Sequence, residues 1–311
     1  MRRRRFLATT ATFATALASR TVMATSASSK PLFSFGLITD PQYADLPPAG
    51  ERHYRATPEK LKHAVEVLSA QHLPFTLQLG DFIEQDLGSF ATLLPILDGL
   101  GHPVHHLLGN HDFHVAEDEK CRIPSLLGMP HDYYTFTHGG VRFVMLDTND
   151  VSTYKYPPGR ETNAAKRRLA KIKREKLPFA NPWNGAVSAT QLAWLERTLN
   201  AAAASDQRVI VCGHHPVFPV DTPHLLWNHE ELLALLLRHR CVGAYLCGHN
   251  HHGAYGEREG LHCITFRSIL HRPDQNAFAV LHLHSDRLVI EAHGREIPRD
   301  LKLRPVRSGG A

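Results

Sequence analysis

Carboxylates, amides and imidazoles recur in this chain in short segments: Asp40-Pro41-Gln42, Gly80-Asp81, Gly109-Asn110-His111-Asp112, Gly213-His214-His215 and Gly248-His249-Asn250-His251. Each follows an apolar run and offers oxygen or nitrogen donors suited to divalent cations, so together they could build a two-metal hydrolytic site. Taken singly, Gly-Asp and Gly-His are common turn dipeptides; only the ordered set points to chemistry. Two cations about 3.5 to 4 Å apart repel strongly unless they share a carboxylate. Asp81 is the natural bridge.

The runs ahead of these segments, among them Phe33-Ser34-Phe35-Gly36-Leu37-Ile38, Phe75-Thr76-Leu77-Gln78-Leu79 and Arg208-Val209-Ile210-Val211-Cys212, read as buried strands. Strand ends are where α/β folds place their chemistry. The pattern predicts a strand at 32–39, a helix at 58–71, a strand at 75–79, a helix near 87–98, a strand around 103–108 and a strand-rich stretch from Leu261 to His293. That order suits an α/β chain with two mixed sheets packed face to face and helices outside. His282 and His284 alternate with Leu281 and Leu283, as on a half-exposed strand, and read as surface residues rather than ligands. A long insertion rich in Pro, Lys and Arg runs from Asn149 to Ala186. Its aromatics, Tyr154, Tyr156, Phe179 and Trp183, either stack on a base or sugar at a pocket rim or, as the default, anchor the loop to its own domain. Within it, Lys166 to Lys176 carries apolar residues three apart and reads as a solvated surface helix.

The ordered segments resemble the calcineurin-like metallophosphoesterase superfamily, whose pattern runs Asp-x-His, Gly-Asp, Gly-Asn-His-(Asp/Glu), Gly-His and Gly-His-x-His. The match extends from about Leu32 to Glu296. This chain departs at the first segment, where Gln42 stands in place of His, and that exchange is similar to the manganese-dependent ADP-ribose/CDP-alcohol diphosphatase branch. Tyr43-Ala44-Asp45, Asn184-Gly185-Ala186-Val187-Ser188 leading into Gln191-Leu192-Ala193-Trp194-Leu195, and Pro273-Asp274-Gln275-Asn276-Ala277-Phe278 look like that branch too.

The resemblance implies a four-layer αββα sandwich of two mixed β-sheets flanked by helices, spanning residues 31–298, with 299–311 as a C-terminal tail. It also implies a ligand set in which Asp40, Gln42 and His251 join Asp81 around one cation while Asn110, His214 and His249 join it around the other. His215 is the alternative to His214; His214 directly follows the strand and is preferred. His111 adjoins a ligand without being needed as one and would protonate the leaving oxygen or neutralise charge on the phosphoryl group, with Asp112 as its orienting partner. A metal-bridging hydroxide would be the nucleophile. An amide in place of an imidazole makes the first site harder and weaker, which favours Mn2+ over Fe, Co or Zn. The expected reaction is hydrolysis of the phosphoanhydride in a nucleoside diphosphate-linked small molecule such as ADP-ribose or a CDP-alcohol. A phosphodiesterase acting on cyclic nucleotides or glycerophosphodiesters is the alternative, and a silent metal-binding module the third reading. The loop Leu46 to Arg55 looks shorter than that of the animal diphosphatases, which puts inherited base selectivity in doubt.

Arg3-Arg4-Arg5-Phe6-Leu7 followed by an apolar stretch to Ala18 and small residues near Val22-Met23-Ala24 or Thr25-Ser26-Ala27 reads as a twin-arginine export signal over residues 1–27. The twin-arginine translocation machinery would then be a partner and the mature protein periplasmic or secreted. The alternative, an uncleaved anchor, needs a longer apolar run than this one, so no stable membrane span is expected after cleavage. Arg2, Arg3, Arg4, Arg5 and Arg20 lie in residues 1–24 without an acid, so subtracting five from the net charge of +5 leaves a near-neutral mature chain. No large basic surface, and hence no nucleic-acid partner, is expected. The five cysteines have no regular spacing. Cys212 and Cys247 read as buried thiols, and one disulfide among Cys121, Cys241 and Cys263 is left open.

Overall fold

In the computed structural model, which describes residues 30–220 and 222–306, the first predicted strand forms β1 (Phe33–Ile38). Its later residues are buried on both faces, as in a strand covered on each side. β1 lies parallel to β2 (Thr76–Leu79), and β2 to β3 (Val104–Leu107). The connections run through α1 (Thr57–Ser69) and α2 (Gly88–Leu97). On the other side of β1, β10 (Ala277–Leu283), β11 (Arg287–Gly294) and β12 (Arg299–Lys302) add antiparallel strands, giving the order β12-β11-β10-β1-β2-β3. The second sheet joins β4 (Tyr134–His138), β5 (Val141–Met145), β6 (Val209–Cys212), β7 (Val242–Cys247), β8 (Ala254–Arg258) and β9 (Leu261–Thr265) in the order β4-β5-β6-β7-β9-β8. Both sheets are mixed, and each carries its parallel strands together with antiparallel neighbours.

Alternation along the strands assigns the layers. Phe143, Met145, Ile210, Cys212, Ala244 and Leu246 share one core with Phe35, Leu37, Leu77 and Leu107 of the first sheet. Val144, Leu146, Val209 and Val211 point the other way, into a second core with Leu192, Leu195 and Leu199 of α5 (Ala189–Ala204) and Leu232 and Leu236 of α6 (His229–Arg238). Leu61 and Leu68 of α1 and Phe90 and Leu93 of α2 complete the first cluster. The result is the expected αββα sandwich. A short α3 (Ile123–Leu126) follows β3, and the insertion contributes α4 (Arg160–Arg174), whose Ala165, Leu169 and Ile172 pack on Phe179, Leu225 and Trp227 while its basic residues, apart from the half-buried Arg168, face solvent.

Two expectations need correction, and the open question of a disulfide closes. The fold does not stop at 298: β12 pairs Leu301 with Leu288, and Leu301 and Leu303 enter the main core. Beyond it the buried Arg304 donates to the carbonyls of Val242, Leu236 and His239, stitching this segment to the second sheet. His284 is buried rather than half-exposed because it lies past the end of β10, in the turn to β11; His282 remains partly exposed against Glu291. All five cysteines are free thiols: Cys121 is exposed, and Cys241 and Cys263 pack in the second core beside Cys247. The expected export signal at 1–27 lies outside the described residues. No helix among the described residues is long and apolar enough to cross a membrane.

The integral role of β12 gives a direct check. Leu301→Ala is expected to cost roughly 2 to 5 kcal/mol in urea unfolding, the usual range for emptying a buried leucine site. An unchanged midpoint would mean that 299–304 is a dispensable tail after all.

Candidate metal centre

The parallel strands β1, β2, β3, β6 and β7 all end at one edge of the sandwich, and each ending delivers one of the predicted segments. Asp40 N donates to Gly80 O (3.2 Å) and Gln42 N to Asp81 O (2.9 Å), binding the first two segments side by side. Gly248 N donates to His214 O (3.1 Å), and His249 N to Asp40 Oδ1 (3.2 Å), so the second sheet's endings join the first's. Asp40, Gln42, Asp81 and His249 all have positive φ, between 47° and 67°. Such a backbone is costly for residues with a Cβ and persists only where the surroundings over-determine it. The glycines before the donors are there for space. A Cβ on Gly109 would strike the Asp81 carboxylate, and one on Gly248 the Thr39 hydroxyl and Asp40 carboxylate.

Two donor clusters result, and Asp81 is in both. Asp81, His214 and His249 present ligand atoms within 4.8 Å of one another, and so do Asp40, Asp81 and His251. All of these side chains are buried. Both amide atoms of Gln42 and the Oδ1 of Asn110 are buried without any hydrogen-bond partner. Neutral amides orphaned in this way are costly unless something else satisfies them. A pair of divalent cations fits: the unsatisfied oxygens, the shared carboxylate and the imidazoles are the donors such ions take.

Each imidazole is fixed by its second nitrogen, the usual support for a metal-bound histidine. His214 Nδ1 meets Leu79 O at 2.8 Å, which aims Nε2 at Asp81 Oδ2, 3.2 Å away. His249 Nε2 meets Asn184 Oδ1 at 2.9 Å, which leaves Nδ1 toward His214. His215, the alternative to His214, is turned elsewhere: its ring spans Thr148 Oγ1 (2.8 Å) and Trp183 O (3.2 Å). Burial alone would push the Asp81 carboxyl up, but His214 and His111 hold it below the usual carboxylate range. Burial pulls His214 down, yet Asp81 raises it to about 9. Binding of a cation at His214 would release the proton that this raised imidazole holds near neutral pH.

Asp112 does not orient His111. Its carboxylate accepts from the backbone N–H groups of Phe82 (2.8 Å), Ile83 (3.2 Å) and Gly109 (2.9 Å), clamping the Asp81 and Asn110 segments together. The group facing His111 Nδ1 is Glu84, with Oε2 3.1 Å away, close enough to pair but without hydrogen-bond angles. Burial raises the Glu84 carboxyl to about 7, and burial lowers the His111 imidazole to about 4 against the pull of Asp81. Glu84 lies three residues after Asp81, but nothing in its local sequence separates it from an ordinary loop acid. Asn184 stands in a segment that carried a resemblance without a role.

A cavity of about 550 Å3 opens over Asp81, Asn110, His111, His249 and His251. Arg52, His114, Thr153, Tyr154, Pro182, Trp183 and His224 form the rest of its lining. The insertion's aromatics therefore divide. Tyr154 bonds Asn149 Oδ1 (2.7 Å) and faces the cavity, and Trp183 is 42% exposed at its rim. Phe179 is buried against His229, and Tyr156 carries the Lys155 ammonium 5.2 Å from its ring centre.

The calcineurin-like phosphoesterase family model matches residues 33–253, and the chain belongs to that family of metal-dependent phosphohydrolases. A manganese-dependent ADP-ribose/CDP-alcohol diphosphatase of Oryza sativa subsp. japonica is 31% identical to it over 296 residues, covering 85% of this chain and 92% of the rice protein. The human protein of the same name is 29% identical over 336 residues, covering 92% and 97%. The crystal structure of a dimetal phosphatase from Danio rerio aligns with a TM-score of 0.80 at 28% identity, covering 88% of this chain and 99% of that one.

The two acids near His111 are separable by mutation. Asp112→Ala leaves buried N–H groups without an acceptor, at about 1 to 3 kcal/mol each, and should lower the melting temperature and the metal content together. Glu84→Gln should keep both and lower turnover. If Asp112→Ala slowed turnover with stability and metal content intact, Asp112 and not Glu84 would be the partner of His111.

Proposed function

We propose that this chain hydrolyses the phosphoanhydride of a nucleoside diphosphate-linked compound of the ADP-ribose or CDP-alcohol type, using two divalent cations with Mn2+ favoured. Asp40, Gln42, Asp81 and His251 would hold one ion and Asp81, Asn110, His214 and His249 the other. When bound, the ions would supply Lewis acidity and ionise a water near neutral pH. The observation that carries the reading is the composition of one cavity wall. Beside the donors stand the Arg52 guanidinium, suited to a diphosphate oxygen, and the exposed Trp183 indole, suited to a base. The names of the rice and human relatives support the same substrate class.

His111 lines the cavity with Nδ1 turned to Glu84, so its other nitrogen is the one left for substrate. In this position the neutral imidazole would pass its Nε2 proton to the departing phosphate oxygen while taking one at Nδ1 from the Glu84 carboxyl, which burial keeps protonated up to about pH 7, so that the imidazole stays neutral and the carboxyl ends as carboxylate. His111→Ala should leave Mn2+ bound and slow turnover by about a hundred-fold or more. The loss should shrink for a nitrophenyl ester, whose leaving group needs little protonation. Equal losses on both substrates would point to stabilisation of phosphoryl oxygens instead.

The substrate class is tested by supplying the Mn2+-loaded protein with ADP-ribose, CDP-alcohols, cyclic nucleotides and glycerophosphodiesters. Release of a nucleoside monophosphate from the first two, well above any turnover of the diesters, is expected. Faster cleavage of the diesters would favour the phosphodiesterase alternative. We also propose that residues 1–27 direct twin-arginine export to the periplasm or beyond, supported by Arg3-Arg4-Arg5 ahead of an apolar stretch. Replacing Arg3 and Arg4 by Lys should retain the protein in the cytoplasm, and unchanged export would refute this.

A further inference from the structure

His251 is supported from behind by a residue outside the ligand segments. Its Nε2 lies 3.5 Å from Asp40 Oδ1, on the cation side, while its Nδ1 lies 3.0 Å from His271 Nε2. The two rings meet edge to face, with centres 4.8 Å apart. His271 is 6% exposed, and its own Nδ1 is buried with no hydrogen-bond partner. The carboxylate of Glu51 faces that atom, with Oε2 3.6 Å away.

The loop that carries His271 is built to hold still. Lys60 donates its ammonium to the carbonyls of Ile269, His271 (3.2 Å) and Arg272 (2.7 Å). Arg295 donates to Ser268 O (2.6 Å) and His271 O (3.2 Å). The same loop returns to the ligands themselves: Leu270 N donates to Asp40 O and Ser268 N to His251 O, each at 3.2 Å. The loop backbone that carries His271 is therefore held by the Lys60 and Arg295 side chains on one hand and by the ligand segments on the other.

We propose that Glu51, His271 and His251 form a carboxylate–imidazole–imidazole chain in which His271 is a positioning residue for the first cation. The proposal rests on the ligand assignment above. A cation at Asp40 and Asp81 takes the Nε2 lone pair of His251, so Nδ1 carries the hydrogen and donates it to His271 Nε2. A neutral imidazole has one lone-pair nitrogen. His271 then bears its hydrogen on Nδ1, directed at Glu51, and the buried orphan atom has its acceptor. Glu51, His252 and His271 also lie close enough to hold a metal ion of their own. Such an ion would need the lone pair of His271 Nδ1, which the contact with His251 removes. The chain and the separate site exclude each other, and the 3.0 Å contact favours the chain.

The test is Mn2+ binding to the purified, metal-stripped full chain, followed by loss of the free-ion electron paramagnetic resonance signal, with melting temperature measured alongside. The wild-type chain should bind two Mn2+. His271→Leu should weaken one of them by about 10- to 100-fold, and it should be the ion that Gln42→Ala also weakens. His271→Gln, whose amide oxygen can still accept from His251, should recover most of that affinity. Unchanged Mn2+ binding in a folded His271→Leu protein overturns the proposal. If His271→Leu does not fold, Glu51→Ala takes its place: weakened binding of the same ion supports the chain, and unchanged binding overturns it. Three Mn2+ on the wild-type chain, one of them lost in His252→Ala, would overturn the chain in favour of a separate site. A wild-type chain that binds no Mn2+ would sink the ligand assignment itself, and the chain with it.

Discussion

The two donor clusters at the working edge of this molecule meet at one carboxylate, that of Asp81. Unit charges 4 Å apart interact by about 4 kcal/mol at an effective dielectric constant of 20. Two dications at that distance repel about four times as strongly. Only negative charge placed between them makes the pair tolerable, and Asp81 is the residue common to both donor clusters. Its placement explains the surrounding architecture. Asp81 sits at a positive φ behind Gly80, its Oδ1 accepts the His111 N–H (2.8 Å), and Gly109 leaves room for it on the neighbouring ending.

The two-sheet sandwich lets donors from distant parts of the sequence surround that carboxylate. β1, β2 and β3 supply carboxylates and amides from one sheet, while β6 and β7 supply imidazoles from the other. The apolar core between the sheets, with Phe35, Phe143 and Leu246 in it, sets the spacing at which the two groups of donors face each other. The insertion then builds the outer wall. Its Trp183 is held through the carbonyl by His215, which in turn is held by Thr148. A histidine beside the centre thus serves the rim rather than the ions.

The sequence was most readable where chemistry and local structure coincide. A donor shortly after an apolar strand is a local pattern, and the segments that carry Asp40, Asp81, Asn110, His214 and His249 are all recognisable from it. So were β1, α1, β2, α2 and β3, to within a few residues at each end. The supporting residues were not. His271 meets His251 across 20 positions and Asn184 meets His249 across 65, and neither contact leaves a local mark. Asp112 was misread because adjacency to His111 suggested a pair, whereas its side chain turns back to backbone donors. The chain beyond 298 reads as a tail because β12 is only four residues long and carries a single apolar residue, Leu301, among three charged ones.

The most direct test of the shared carboxylate is crystallographic: crystals equilibrated with Mn2+ and measured at the manganese absorption edge. The expected result is a pair of anomalous peaks about 3.5 to 4 Å apart, both within bonding distance of the Asp81 carboxylate, one reached also by Gln42 and the other by Asn110. A single peak, or a pair of which either stands clear of Asp81, would contradict it.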